Sequence, residues 1–190
     1  MFKVKAYKKS LTAENYPVFS ISTDSWDDYG TVCTFHLCYH ESKSESTEIG
    51  KLKILQTNQN HTKLPNEFDD LDENYISLGQ TIEFYKKLLQ TVGFSKSKEV
   101  LDSLNDISWK PHKSESKSEY RNALFRENSA LNSFRFGKAI ILGESYNEEF
   151  SFKYTTFIDG AESSFTINVD FDESDPLPGR IVGIIGRNAV

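Results

Sequence analysis

Apolar and polar side chains alternate with a period of two over much of the first 56 residues, and this pattern predicts β-strands. The alternation is clear at residues 2–7 and 17–23, and it is most regular at residues 31–39. Residues 48–56 follow a polar loop and predict a returning strand with a bulge at Gly50. We therefore predict an antiparallel sheet. The side chains expected to share a face within a strand are Phe19 and Ile21, and Cys33, Phe35, Leu37 and Tyr39.

A helical period replaces this alternation after the polar, acidic residues 58–73. Residues 77–80 have the form of a capping box, with serine at the N-cap position and glutamine three positions later. The apolar residues that follow recur at helical spacing up to Gly93, which stands where a C-terminal glycine ends a helix. We predict shorter helices over residues 96–105 and 119–131.

A strand pattern returns from Phe134 onwards. Residues 139–142 are continuously apolar, residues 150–154 and 165–171 alternate, and Asp159 with the following glycine is a hairpin signal. No flexible linker divides the chain, so we expect one sheet system capped by helices. The predicted fold class is α+β, with a mainly antiparallel, sandwich-like sheet and a helical insertion at about 75–132.

The last apolar run, residues 180–185, has no polar alternation, as is typical of a strand buried on both faces. A phosphate-binding loop of the form G-x-x-x-x-G-K-[ST] follows such a strand, and Gly186 fits its first glycine. Residues 187–190 fill the four variable positions. We predict a β-rich amino-terminal domain over residues 1–178, followed at 179–190 by the first strand and the start of this loop. The alternative is a buried strand that ends in a Gly-Arg-Asn turn.

Residues 186–189 resemble the G-x-N-G-x-G-K-[ST] loop of ATPases of the ABC, SMC and RecF-like type, with Ala189 where glycine is commonest. Residues 26–30, 49–54 and 77–80 resemble the leading region of AAA-type ATPases of bacterial defence systems. The resemblance implies the amino-terminal region of an ATP-binding P-loop ATPase, truncated inside its Walker A loop and ending in the first buried strand of the core. The residues of the partial nucleotide site would be Gly186, Arg187, Asn188, Ala189 and Val190.

The resemblance also implies which chemistry the chain lacks. The loop lysine and the hydroxyl residue that holds magnesium would follow Val190, so no catalytic residue is assigned. ATP and magnesium would be cofactors of the parent protein, and we expect neither to bind this chain tightly. In ABC-type heads an aromatic residue on the upstream strands often stacks on adenine, and Tyr154 and Phe157 are the candidates. Their alternative role is ordinary sheet packing.

Composition and charge restrict the other classes of function. The net charge of -6 and the pI of about 5.3 argue against a general nucleic-acid or membrane-surface binder. No apolar run approaches the roughly 20 residues of a membrane-spanning helix, and the start lacks the apolar region of a secretory signal. We therefore expect a cytoplasmic chain. An alternative function is a stand-alone, β-rich protein–protein interaction module without a nucleotide role.

Metal sites are not predicted. Cys33 and Cys38 fall on opposite faces of an extended segment, so we expect two small core residues rather than a disulfide or shared metal ligands. The acidic residues 69–73 lack the glycine and terminal glutamate of a calcium loop, and they predict a solvated linker. The four histidines have no metal-ligand spacing with the cysteines. They are His36, His40, His61 and His112.

The expected partner is the remainder of the ATPase or another protein. Residues 181–185 would normally be flanked by later parallel strands, so here they would form a sticky edge. We therefore expect the chain to self-associate through this C-terminal strand.

Overall fold

The early strand-forming segments make one six-stranded sheet in the structure, which is a computed structural model. It describes residues 1–6, 15–23, 30–110, 122–146, 150–157 and 163–171. The strands are β1 (Phe2–Ala6), β2 (Val18–Thr23), β3 (Thr34–His40), β4 (Ser46–Gln56), β5 (Glu67–Phe68) and β6 (Tyr75–Gly79). Their order across the sheet is β5-β1-β2-β3-β4-β6.

The chain divides into two compact units, Met1–Ser145 and Tyr146–Val190. In its described residues the first unit holds the six-stranded sheet and two long helices, α1 (Ile82–Ser103) and α2 (Asn128–Leu142). In the second unit β7 (Phe150–Thr156) and β8 (Phe165–Phe171) pair as a separate antiparallel hairpin. The prediction of an α+β fold with a mainly antiparallel sheet is confirmed. The prediction of a single sheet system is wrong, and the boundary predicted at 178/179 lies outside the described residues.

One pair of strands departs from the predicted antiparallel pattern. β1 runs parallel to β2, with Phe2 opposite Phe19, whereas the other pairs of named strands are antiparallel. Parallel neighbours require a connection that returns the chain to the starting end, and the segment between these strands is long enough to do so. The register of β3 and β4 shifts between Leu37 and Cys38, opposite Gly50, which confirms the predicted bulge.

The sheet is curled, and its topology shows why. β5 and β6 form opposite edges of the sheet, yet only residues 69–74 connect them. Six strands laid flat would be about 24 Å wide, because neighbouring strands lie about 4.8 Å apart. Residues 69–74 could reach that far only if fully extended, and they contain a turn in which the N–H of Tyr75 donates to the carbonyl of Asp72. Curling therefore brings the two edges close together.

The acidic side chains of the stretch at 69–73 are solvated, as predicted, but the backbone of this stretch is not that of a free linker. Leu71 is buried, and its N–H donates to the carbonyl of Ser103 at the end of α1 (2.8 Å). The side-chain amide of Asn105 donates to two carbonyls of this stretch, those of Leu71 and Asp72, and to that of Tyr75 at the start of β6. The stretch is thus held against the end of α1, which requires contacts that a local charge pattern does not reveal.

Helix α1 begins later than the capping box predicted. Ser77 is buried in strand β6, where it lies opposite Ile54, and the N-cap residue of the helix is Thr81. All five residues of β6 are buried, so pairing with β4 outweighs the local capping preference. The predicted break at Gly93 is confirmed, because its φ of 73° and ψ of 173° are not helical, and helical structure then continues to Ser103.

Helix α2 replaces a predicted strand. Residues 139–142 were predicted to be extended, but they form the last turn of α2, which ends at Gly143 in the left-handed conformation. Of the predicted helix at 119–131, residues 122–124 and 128–131 are helical and residues 125–127 are not, while residues 111–121 lie outside the described part of the chain. The buried residues recur every three or four positions, which is why the segment is helical. They are Ala130, Ser133, Gly137, Ile140 and Ile141.

The core of the first unit lies on both faces of the curled sheet. On one face the ring of Phe84, from α1, packs against Gly50 and Gly79. A Cβ added to Gly50 would lie 3.6 Å from this ring, and a Cβ added to Gly79 would collide with it. The other face carries a second buried cluster, formed by Cys33, Leu55, Ile76, Leu78, Ile107, Leu124 and Ala130. The helices therefore enclose the β6 edge of the sheet.

Candidate functional site

The predicted nucleotide-binding residues are not among those that the structure describes. Gly186, Arg187, Asn188, Ala189 and Val190 lie in the stretch 172–190, outside the described residues, as does the apolar run before them. Residues 26–29, which carry part of the second resemblance, are outside as well. These assignments therefore stay predictions from the sequence.

The two candidate adenine-stacking residues lie at the turn end of the hairpin in the second unit. Tyr154 is in β7 opposite Ile167, and 54% of its surface is exposed. Phe157 directly follows β7 and is 70% exposed, while Phe165 at the start of β8 is 50% exposed. Three aromatic side chains are thus accessible at one end of the hairpin, a placement that suits contact with a ligand or partner better than interior packing.

A buried polar network surrounds Asp106 in the first unit; we call it the Asp106 network. Asp106 is 1% exposed and Tyr85 is fully buried. The Tyr85 hydroxyl donates to Asp106 Oδ2 at 3.0 Å, and the N–H groups of Ser108 and Trp109 donate to Oδ1 at 2.9 and 3.2 Å. The N–H of Gly79 lies 3.3 Å from Oδ2. The carboxylate therefore joins β6, α1 and the loop after α1.

Local backbone structure holds Asp106 in this position. Asn105 adopts a positive φ of 52° just after α1, and the chain then runs beside β6. Ser77 donates its N–H to the carbonyl of Asn105 (3.1 Å), and Ile107 donates to the carbonyl of Ser77 (3.0 Å). Asp106 and Ser77 thus form a parallel bridge at the edge of the sheet. The bridge covers the edge that β6 would otherwise expose.

Burial sets the protonation of this network. It raises the pKa of the Asp106 carboxyl to about 6, although hydrogen bonds from Tyr85 and from three backbone N–H groups act to lower it. Burial, together with the nearby charge of Asp106, raises the pKa of Tyr85 well above 10, so the phenol stays protonated and donates. Both groups are inaccessible to solvent, so the Asp106 network positions secondary structure rather than meeting a substrate.

A second polar group lies on the sheet between β2, β3 and β4. Ser20 is fully buried, and its Oγ lies 2.8 Å from His40 Nε2. His36 Nδ1 lies 3.3 Å from Glu48 Oε1. A serine hydrogen-bonded to a histidine is a component of nucleophilic catalysis, but a nucleophile must be reachable by its substrate, and Ser20 is not.

The cysteines follow the prediction in part. Cys33 is buried in the apolar cluster, as predicted, whereas Cys38 is half-buried, and neither is part of a disulfide. Within the described residues no three His, Cys, Asp or Glu side chains come together to hold a metal ion.

An open cleft of about 360 Å³ lies beside the start of β1 and the second half of α1. We call it the acidic cleft. Its apolar residues include Phe2, whose ring stacks on Phe19 (5.5 Å between centroids) and on Phe68 (5.0 Å). Its charged side chains are mostly carboxylates, on the turn after β5 and on α1. They are Asp69, Asp70, Glu99 and Asp102, together with Lys96.

Sequence reasoning missed both the Asp106 network and the acidic cleft. A signal for the network exists, because Asp106 stands between the apolar residues Leu104 and Ile107, where a carboxylate is expected to need buried partners. The cleft had no such signal. Its residues come from separate segments of the chain, and only the curled sheet brings them together.

Comparison with known proteins gives one partial match. A region of 73 residues is 30% identical to Protein ea59 of Escherichia phage lambda. The match covers 36% of this chain but only 14% of ea59, so the chain spans a small part of that relative. No family model matches the chain, and no solved structure matches it. No helix in the described parts of the chain is long and apolar enough to cross a membrane.

Proposed function

We propose that this chain is the amino-terminal region of a P-loop ATPase of the ABC or RecF-like type. One observation carries the proposal: the apolar run at 180–185 leads directly into Gly-Arg-Asn-Ala at 186–189, in the order in which a buried strand precedes a phosphate-binding loop. The parent would be a cytoplasmic protein that uses ATP and magnesium, and the resemblance to defence ATPases makes phage defence its proposed setting.

The arrangement of the described strands supports this proposal. In ABC-type heads antiparallel strands precede the first buried strand of the core, and here the β7–β8 hairpin precedes residues 180–185 in the sequence. The hairpin belongs to a unit separate from the six-stranded sheet. We infer that the second unit opens the nucleotide-binding core and that the first unit is an additional domain.

The chemistry of the loop predicts little nucleotide binding by these 190 residues alone. A complete loop surrounds the phosphates with backbone N–H groups at a helix N-terminus, adds a lysine and holds magnesium through a hydroxyl. Residues 186–190 supply only part of the N–H groups. Calorimetric titration of the chain with magnesium-ATP should therefore show weak or no binding. A dissociation constant near 1 μM, about 8 kcal/mol of binding free energy, would contradict this expectation.

The proposal itself is tested on the complete gene product. The reading frame beyond Val190 should continue with glycine, lysine and serine or threonine, and a stop codon there would refute the proposal. The full product should bind magnesium-ATP, and Gly186→Val should weaken that binding at least about tenfold, because a side chain at this glycine blocks the approach of the phosphates. Ala189→Gly, which restores the commonest residue of the family, is the control and should leave binding unchanged.

A second candidate function is a protein–protein interaction module, and the exposed aromatic end of the hairpin favours it. Tyr154, Phe157 and Phe165 are accessible together, and exposed aromatic residues are enriched at protein interfaces. Capture of a partner protein distinguishes the two functions. If the chain is an interaction module, the double substitution Tyr154→Ala with Phe157→Ala abolishes this capture, and adding ATP does not change it.

A further inference from the structure

The hydrogen bonds of Asp106 within its network are all of one kind, because in each of them the partner donates. The donors are the hydroxyl of Tyr85 and the backbone N–H groups of Gly79, Ser108 and Trp109. These partners suit a charged carboxylate, which can only accept. A protonated carboxyl group carries an O–H that has to be donated, so the protonated form of Asp106 requires an acceptor.

The hydroxyl of Tyr85 can be that acceptor. Its oxygen lies 3.0 Å from Oδ2 and 3.2 Å from Oδ1 of Asp106, and it already accepts the N–H of Gly79 at 3.1 Å. A hydroxyl oxygen has two lone pairs, so one remains for the proton of Asp106. Tyr85 would then need a new acceptor for its own hydrogen.

The hydroxyl of Ser108 is placed to accept this hydrogen. Ser108 Oγ is buried and has no hydrogen-bond partner in the described part of the chain. It lies beside Cζ of Tyr85, the carbon that carries the hydroxyl, since both atoms lie against the point where a Cβ on Gly137 would stand. The Ser108 hydroxyl is also near enough to act on the pKa of Tyr85, which it lowers. A buried hydroxyl without a partner is unfavourable, so a bond that forms on protonation would offset this cost.

The charged side chains beside the network have other partners. Asp102 contacts the ammonium of Lys110, and its Oδ1 accepts a hydrogen bond from Trp109 Nε1 at 3.1 Å. Lys138 of α2 lies 5.7 Å from the centre of the Trp109 ring. From β6, the hydroxyl of Tyr75 donates to the carbonyl of Lys63. Among the described residues, Tyr85 is therefore the titratable side chain that is hydrogen-bonded to Asp106.

We propose that Asp106, Tyr85 and Ser108 form a buried proton-binding switch, in which two hydrogen bonds change when a proton binds. In the charged state Tyr85 donates to Asp106, and Ser108 Oγ is not used. In the protonated state Asp106 donates to Tyr85, and Tyr85 turns its hydrogen towards Ser108. One proton is taken up from solvent, and the new O–H bond forms at Asp106.

The switch responds to pH in the range in which Asp106 titrates. Burial raises the pKa of Asp106 to about 6, so a modest fall below neutral pH changes the direction of its bond with Tyr85. The residues of the switch join α1 to the loop that runs beside β6. All of them lie in the first unit, so the inference is independent of the nucleotide proposal.

The test is a titration of the Asp106 carboxyl carbon by NMR in the whole 190-residue chain and in Ser108→Ala. Only the protonated state uses Ser108 Oγ as an acceptor, so its removal destabilises that state alone. We expect the pKa of Asp106 to fall by about 0.5–1 unit in Ser108→Ala, the worth of one net hydrogen bond. The variant should fold, because the hydroxyl it loses has no partner in the charged state.

Two further variants separate the switch from a general effect of buried serines. Ser133→Ala removes another buried hydroxyl without a partner, on α2 one turn before Gly137, and should shift the pKa of Asp106 by less than about 0.2 unit. In a Tyr85→Phe background the path between Asp106 and Ser108 is broken. Adding Ser108→Ala to that background should therefore leave the pKa of Asp106 unchanged.

The sign of the pKa change decides the proposal. A rise in the pKa of Asp106 in Ser108→Ala would overturn it, because Ser108 would then stabilise the carboxylate. An unchanged pKa, or an equal fall in Ser133→Ala, would overturn it as well. So would a fall in Ser77→Ala without one in Ser108→Ala, since Ser77 also has a buried hydroxyl without a partner and would then be the acceptor.

Discussion

Asp106 is the residue whose protonation matters most to the first unit. Its pKa in the folded protein is about 6, above its ordinary value of 3.8, so the folded state binds its proton more tightly than the unfolded state does. The stabilisation from this proton is fully present below about pH 4 and is lost as pH rises through 6. The loss amounts to a few kcal/mol, since each pKa unit corresponds to about 1.4 kcal/mol.

Asp106→Asn should remove this contribution. We expect the free energy of unfolding of the native chain to fall, relative to that of the variant, between pH 4 and pH 7, as measured by urea unfolding at several pH values. Glu73→Gln, at an exposed carboxyl group, should keep the native profile. If the free energy of unfolding varied with pH in the same way for the native chain and for Asp106→Asn, burial would not raise the pKa of Asp106.

Gly137 is the residue through which α2 approaches the Asp106 network. A Cβ at this position would collide with the hydroxyl of Ser108 and lie 2.8 Å from Cζ of Tyr85. Gly137→Ala should therefore lower the free energy of unfolding by about 1–3 kcal/mol, despite the better helix propensity of alanine. Arg135→Ala, at an exposed position of α2, should change it by less than about 0.5 kcal/mol. A stabilised Gly137→Ala would contradict the close packing.

At the scale of elements, the break in α1 depends on one glycine. Gly93 has φ 73° and ψ 173°, a region that only glycine adopts readily, and no atom lies within 4 Å of a Cβ built there. Gly93→Ala should thus cost about 1–3 kcal/mol through backbone strain alone. Lys98→Ala, an exposed helical substitution, is the control in urea unfolding. An unchanged midpoint for Gly93→Ala would mean that the helix accommodates alanine without the break.

The sequence predicted β1 to β4 and the break at Gly93, because alternation and glycine act locally. It failed where tertiary contacts decide. Residues 77–80 fit a capping box as well as a strand, and only pairing with β4 selects the strand. In α2 the buried positions 130, 133 and 137 are small residues, which hide the helical period, while the apolar residues 139–142 suggest a strand. The acidic cleft depends on curvature, which no local pattern encodes.

At the scale of the whole molecule, the apolar run at 180–185 predicts self-association. Such a run requires neighbouring strands, and an uncovered strand edge recruits them from another molecule. Size-exclusion chromatography with light scattering should show masses that rise with concentration. If the proposed ATPase core follows in the gene, a longer product that contains its strands is the matched control and should self-associate less. A monomer at all concentrations of the 190-residue chain would contradict the prediction.

The connection at 69–74 has a consequence for proteolysis. It contains Glu73, an exposed residue in an acidic sequence that a glutamate-specific protease would normally cut. Its backbone, however, is held by Asn105 and by the buried Leu71, and proteases bind substrates in an extended form. Cleavage at Glu73 therefore has to wait until this connection separates from the end of α1, and its rate would report how often that separation occurs.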